Sequence, residues 1–274
     1  MSRWNREGWF WAGALALGLI PILAILGLAV FLFWNAADAS VAIGLRELGR
    51  TQWAPLQGRF GVVLLLTGTL AVTALALCLA IPVALSSAGY LALHSGKRVR
   101  VTANSAIGLL GGVPSVVIGL WAMTWVVPAF GNSWLSASVV LAVMIAPTIT
   151  LLSVASLRLV PGELLEAARA LGVGEAIVTR VAFHHARWGI LSAVVLGASR
   201  ALGEAVALSM VAGNVVSWPG LTRPIATLTT TLIVELDAAA GLHRDALYLL
   251  ACIALVAIGA LSVFGRSAQR RVGL

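Results

Sequence analysis

Charge is what this sequence has least of. Asp, Glu, Lys and Arg make up 10% of its 274 residues against 60% hydrophobic ones, where a soluble domain carries about a quarter charged residues. With a mean hydropathy of +1.01, that scarcity excludes a water-soluble globular chain and leaves lipid as the solvent. Lysine is nearly missing, with Lys97 alone. A phosphate-cradling nucleotide loop needs Gly-x-x-x-x-Gly-Lys-Ser/Thr; Lys97 follows Gly96, but Arg98 stands at the hydroxyl position and Leu91 at the first glycine. The chain therefore carries no nucleotide-hydrolysing motor of its own. Cysteine is limited to Cys78 and Cys252, both inside apolar runs where they act as small hydrophobes. No His or Asp falls inside those runs and Glu204 is the only acid there, so an intramembrane enzyme lacks its nucleophile or ligand set.

What the sequence does have is apolar segments of about 20 residues or more, enough to cross roughly 30 Å of hydrocarbon. Six are expected, near 9–34, 61–93, 101–127, 135–157, 189–212 and 246–265. Runs such as Val62 to Leu66 and Leu249 to Ile258 are apolar in every direction, which is helical patterning rather than the alternation of a lipid-facing barrel. The expected fold is all-α and polytopic. Its parts are an N-terminal helix and loop (1–60), a main membrane domain (61–265) with an inserted polar segment (159–188), and a short tail (266–274).

The basic residues give an orientation, because positively charged loops stay on the cytoplasmic side. Arg3, Arg6, Lys97, Arg98, Arg100, Arg158, Arg169, Arg180, Arg187, Arg266, Arg270 and Arg271 fall on one set of loops, twelve of the 18. On the other set, Arg46, Arg50, Arg59, Arg223 and Arg244 are matched by Asp38, Glu47, Glu235, Asp237 and Asp245. Both termini are expected in the cytoplasm, with the chain embedded in membrane lipid. The pI near 11.2 reports this topology; with no basic stripe, no nucleic-acid partner is expected.

Pro82, Pro114, Pro147 and the pair Gly111-Gly112 interrupt apolar runs. Pro82 and Pro147 read as simple kinks or packing sites. Gly111-Gly112-Val113-Pro114-Ser115 has two readings: a kink, or the end of one half-helix and the start of another whose Ser115 hydroxyl and free amides face a pathway. The segment from 213 to 245, with Pro219, Gly220, Pro224 and the Thr-rich stretch 227–231, is long for a loop and leaves open a re-entrant or a surface helix.

Two polar features stand out. Between the fourth and fifth runs, Leu159 to Gly172 reads as a short bounded helix: Pro161 in its first turn, Glu163 and Glu166 near the positive end, Gly172 at the stop. Leu164, Ala168 and Leu171 form one apolar face, which suits a groove on a partner, the membrane surface or the chain's own loops. Inside the fifth run sits Arg200, a residue whose insertion at a helix centre costs about 2.5–3.5 kcal/mol. Glu204, four residues on, is its expected partner on the same helix face. That pair reads either as a structural ion pair or as an anion site, since a guanidinium's fork of donors matches phosphate oxygens. His184 and His185 are adjacent, point differently, and read as interfacial residues rather than a metal pair.

Glu166-Ala167-Ala168, three residues, then Gly172 resembles the EAA loop of ATP-binding-cassette importer permeases, in which this helix docks into the cytoplasmic ATPase. At the downstream Leu-Pro of that loop the chain has Phe183-His184 instead. Gly112-Val-Pro-Ser-Val-Val-Ile-Gly-Leu-Trp121, Arg200-Ala-Leu-Gly-Glu204 and Met210-Val-Ala-Gly-Asn214 resemble the phosphate-importer permeases of the PstC/PstA family, the PstC branch more closely. The resemblance implies a phosphate-translocating permease of a bacterial inner membrane without enzymatic activity or cofactor of its own, ATP and Mg belonging to the ATPase. It further implies a PstA-like second permease, a cytoplasmic pair of ATPase subunits and an extracytoplasmic phosphate-binding protein. The implied pathway residues are Arg200, Glu204, Ser115 and Asn214, and the implied coupling residues are Glu166, Ala167, Ala168, Leu171 and Gly172. Competing readings are a permease for molybdate, tungstate or sulfate, and a membrane sensor or assembly subunit that moves no solute.

Overall fold

A computed structural model describes residues 3–270. Residues 271–274, Arg271 among them, lie outside the described residues, as do the side chains of Arg3, Arg6, Asp38 and Arg270. In chain order the structure runs α1 (Arg3–Ile43), α2 (Leu45–Leu48), a hairpin of β1 (Trp53–Ala54) and β2 (Arg59–Phe60), and α3 (Val63–Gly89) continued by a π-helical turn (Tyr90–His94). There follow α4 (Lys97–Gly111), α5 (Ser115–Trp125), α6 (Val127–Phe130), α7 (Trp134–Arg158), α8 (Gly162–Ala170) and α9 (Glu175–His185). The chain ends through α10 (Arg187–Gly203), α11 (Val206–Val211), α12 (Leu228–Glu235) and α13 (Leu242–Arg270).

Helices dominate because backbone polar groups in hydrocarbon must bond within their own segment. Among the described residues four stretches are long and apolar enough to cross a membrane unbroken: Gly13–Ile43, Val63–His94, Trp134–Arg158 and Leu242–Ala268. The expected spans at 101–127 and 189–212 are helical but not continuous. The first is split at Gly112–Pro114 and bent by 88° between α4 and α5. Pro114 lacks an N–H and holds an extended ψ of 137°, which stops α4 from propagating into α5. The second is split at Glu204–Ala205, leaving α10 with 17 residues. Pro82 and Pro147, in contrast, sit inside continuous helices.

The bundle is organised around α7, whose Leu141, Ile145 and Ile149 are fully buried. Against it α3 presents Ala76, Ala80, Ala84 and Ala88 at four-residue intervals, each between 0 and 2% exposed. A stripe of small side chains lets two backbones approach closely, the packing that replaces the hydrophobic effect where lipid is the solvent. Gly197 of α10 fits Ile149 and Gly189 fits Ser156 in the same way, since a Cβ there would fall 2.7 and 2.4 Å from those side chains. At one end of α3 a cluster of Trp53, Phe60, Leu65, Leu228, Leu247 and Leu250 joins the hairpin to α12 and α13. At the other end Ala88, Leu91, Leu157, Ala182 and Ile190 seat α9 on the bundle. α1 packs mainly on α13, and none of its most apolar window is buried.

Candidate functional site

The two interrupted helices meet. α5 and α11 pack so closely that a Cβ on Gly119 would stand 3.3 Å from the Ala207 Cα, and this contact places the Gly111–Ser115 break beside the Glu204–Ala205 break. Arg200, in the last turn of α10, reaches from one to the other. Its Nη1 donates to Thr148 Oγ1 on α7 at 2.9 Å and its Nη2 donates to the Gly111 carbonyl at 3.1 Å. Gly111 is the last residue of α4, so the cation sits at a helix carboxyl end, where unsatisfied carbonyls carry partial negative charge. The residue is exposed, and the fork has donors beyond the two it uses.

The expected Arg200–Glu204 ion pair does not form. Four-residue spacing brings side chains together only along a continuous helix, and α10 ends at Gly203, leaving Glu204 extended with ψ 127°. The Glu204 carboxylate turns instead to the next helix: Oε1 accepts the Ala207 N–H at 3.1 Å, capping α11. The freed Glu204 carbonyl accepts from the Thr229 hydroxyl at 2.8 Å. Among the described residues the ion pairs are Arg50–Glu47, Arg169–Glu175 and His243–Glu235.

Ser115 opens α5 and is half-buried, with Pro114 before it and no side-chain capping bond. The stop of α4 at Gly111, the restart at Ser115 and the 88° bend between them agree with one half-helix ending and another beginning in this run. Asn214 has a different task. It holds a left-handed φ of 52° after Gly213 at 81°, a conformation that asparagine tolerates better than most residues. Its Nδ2 donates to the Ser209 carbonyl at 2.7 Å, closing the end of α11. No hydrogen bond among the described residues joins Asn214 to Arg200 or Glu204.

The segment 213–245 is neither a free loop nor a surface strap. Gly213 bridges Ile225 in parallel, and Thr227 caps α12 by accepting the Thr230 N–H while Thr230 Oγ1 accepts the Thr227 N–H. The Leu228 N–H donates to Thr69 Oγ1 of α3 at 3.0 Å. Gly68 is required beside it, because a Cβ would lie 2.2 Å from the Ala226 carbonyl oxygen. At the far end of α12, Glu235 accepts from Trp53 Nε1 at 3.0 Å and lies 2.8 Å from His243 Nε2. The sequence signal for this arrangement was the Thr-rich stretch itself, since hydroxyls that end up buried must find partners.

The polar segment folds as two short helices. α8 starts after Pro161 and ends before Gly172, whose φ of +73° turns the chain; Gly172 stands at the expected stop, and Pro161, expected in the first turn, stands just before it. Glu166, Ala167, Leu171 and Gly172 are exposed, Ala168 is half-buried, and Leu171 keeps 81% of its surface. Across the turn Arg169 Nε donates to Glu175 Oε1 at 2.9 Å. That hydrogen bond holds the Glu175 carboxyl below its ordinary range and raises the Arg169 guanidinium. α9 anchors the pair: Phe183 packs against Gly89, where a Cβ would meet its ring at 3.1 Å. His184 and His185 are exposed, and no group of metal-ligating residues occurs among the described residues.

Residues 80–272 match the family described as binding-protein-dependent transport system inner membrane component. The chain belongs to this family. It is thus a multi-pass membrane component of such a transport system, which works with further subunits. Among similar proteins, the phosphate transport system permease protein PstC of Xylella fastidiosa is 27% identical, with 89% of this chain and 85% of that one covered. PstC 1 of Mycobacterium tuberculosis is 32% identical over 84% of this chain and 81% of its own length. The probable ABC transporter permease protein YqgH of Bacillus subtilis is 33% identical over 80% and 75%. In family terms, the interrupted helices α4–α5 and α10–α11 and the exposed helix α8 all lie within the matched region.

Proposed function

We propose that this chain is the PstC-type permease subunit of an ATP-binding-cassette importer that moves inorganic phosphate into the cytoplasm. The observation that carries the reading is Arg200, an exposed guanidinium held at the junction of two broken helices by Thr148 and the Gly111 carbonyl. Broken helices at membrane depth are tolerated where they line a cavity, and a fork of donors beside the start of α5 suits an oxyanion. Phosphate displaces part of the tether and takes up Arg200, with Ser115 at the half-helix start. Glu204 and Asn214 contribute by fixing the ends of α11. The names of the similar PstC proteins support phosphate as the substrate.

α8 is the coupling helix. Glu166, Ala167, Ala168, Leu171 and Gly172 present it to a cytoplasmic ATPase pair, which binds ATP and Mg. A PstA-like second permease covers the exposed face bearing Arg200, and an extracytoplasmic phosphate-binding protein delivers substrate at the end carrying the hairpin. Both termini and α8 lie on the cytoplasmic side. Reconstitution of the purified complex in vesicles, with labelled phosphate competed by molybdate, tungstate and sulfate, tests the reading. Phosphate uptake that needs ATP and resists the other oxyanions is expected; competition by one of them at equal concentration assigns that anion instead, and no uptake of any oxyanion removes the transport role.

A further inference from the structure

Thr229 is a buried hydroxyl whose partner is not in its own helix. It lies at the second position of α12 and is 8% exposed. Serine and threonine in membrane helices commonly return their proton to the carbonyl four residues back, as Thr231 does to the Thr227 carbonyl at 2.9 Å. Thr229 instead spans 25 residues of sequence to the Glu204 carbonyl, the group that the end of α10 leaves unbonded. One arrangement of protons satisfies the whole cluster: the Thr230 N–H gives to Thr227 Oγ1, the Thr227 hydroxyl gives to Thr229 Oγ1 at 3.2 Å, and the Thr229 hydroxyl gives to Glu204.

The break itself has no covalent cause. No proline stands between Leu202 and Ser217, and Gly203 alone weakens a helix by only about 1 kcal/mol. Two of the backbone groups freed at residues 204–205 find partners outside the helix ladder, the Glu204 carbonyl at Thr229 and the Ala207 N–H at Glu204 Oε1, and these favour the break over a continuous helix. α12 is in turn fixed at its start by Thr69 and at its end by the Trp53–Glu235–His243 group. The hydroxyl therefore ties a braced element to the point from which Arg200 and Glu204 project.

We propose that Thr229 is a positioning residue of the translocation pathway, holding the α10–α11 break open and so aiming Arg200 and Glu204. Its bearing on phosphate movement rests on the function proposed above; its bearing on the break does not. The test uses the complete transporter in lipid nanodiscs and vesicles with Thr229→Val, which removes the hydroxyl at equal shape, Thr229→Ser, which restores it, and Thr231→Val, which deletes a neighbouring buried hydroxyl with no link to Glu204. Amide hydrogen exchange over 204–208 is expected to rise about tenfold in Thr229→Val, the factor matching one lost buried hydrogen bond, with α3 and α7 unchanged. Thr229→Ser and Thr231→Val are expected to stay within about twofold of the parent on the same scale. The maximal rate of phosphate uptake is expected to fall in Thr229→Val and to stay near the parent's in Thr229→Ser and Thr231→Val. Unchanged exchange at 204–208 in Thr229→Val, or an equal rise throughout the bundle, overturns the proposal. So does loosened exchange with a full uptake rate. A parent complex that imports no phosphate sinks the assigned substrate, while the exchange result still decides the role of Thr229.

Discussion

At the scale of single residues, Arg200 separates charge from shape. A lysine there keeps the charge, but its compact ammonium cannot replace a planar fork that bridges Thr148 and the Gly111 carbonyl. Phosphate uptake is therefore expected to vanish in Arg200→Ala and to fall by at least about tenfold in Arg200→Lys, with assembly of the complex retained in both. Loss of assembly alone in either variant would return Arg200 to a structural role. Glu204 is expected to behave as a cap: Glu204→Gln keeps an acceptor for the Ala207 N–H and should melt like the parent, whereas Glu204→Ala should lose about 1 kcal/mol, read from thermal unfolding of the purified chain. The presence of an arginine needing a partner was legible in the sequence. The identity of the partner was not, because the four-residue rule assumes a helix that Thr229, distant in sequence, interrupts.

At the scale of elements, α8 and its turn were the most legible part. Proline before a short amphipathic run and glycine after it act locally, within one or two turns of helix, so no distant contact is needed to place the limits. Gly172 at φ +73° is the sharpest local demand. Gly172→Ala is expected to cost about 1–2 kcal/mol of local stability, the left-handed penalty for a residue with a Cβ, and to lower co-purification of the ATPase. The Arg169–Glu175 link adds a pH signature. Glu175 titrates below its ordinary value, mainly through the Arg169 hydrogen bond, so the link is complete above the ordinary glutamate range and is lost as pH falls through the depressed value. ATPase binding should accordingly stay flat between about pH 7 and 5 and weaken only in stronger acid, which a pull-down titration checks. The position of the Gly111–Ser115 interruption was also legible, but proline and paired glycines left a kink and a full break as equal readings. Its 88° angle was not legible, because packing of α5 on α11 sets it.

At the scale of the whole molecule, the cluster at the far end of α3 links α8 and α9 to α3 and α7, the two helices that pack on each other most extensively. A charge reversal on α8, Glu166→Lys, is expected to detach or uncouple the ATPase while leaving the bundle's unfolding temperature unchanged; equal co-purification and uptake would remove the coupling assignment. Gly68→Ala is expected to do the reverse. A methyl cannot share space with the Ala226 carbonyl oxygen, so α12 must move off α3 at about 1–3 kcal/mol and the chain should lose yield before it loses ATPase binding. Six helical segments were visible from hydropathy, but composition cannot tell a crossing helix from one that turns back part-way. The bracing of α12 is a sum of contacts between residues far apart in the chain, to which no local pattern points.

α1 shows a different relation to its surroundings. Its apolar stretch of 31 residues touches the rest of the fold chiefly through α13 and buries none of its most apolar window. At about 1.5 Å per residue that stretch exceeds the thickness of most bilayers, so it crosses at a slant that answers to the thickness of the lipid as well as to its packing on α13. Thin membranes lay it over and thick ones raise it, like a mooring pole beside a fixed hull.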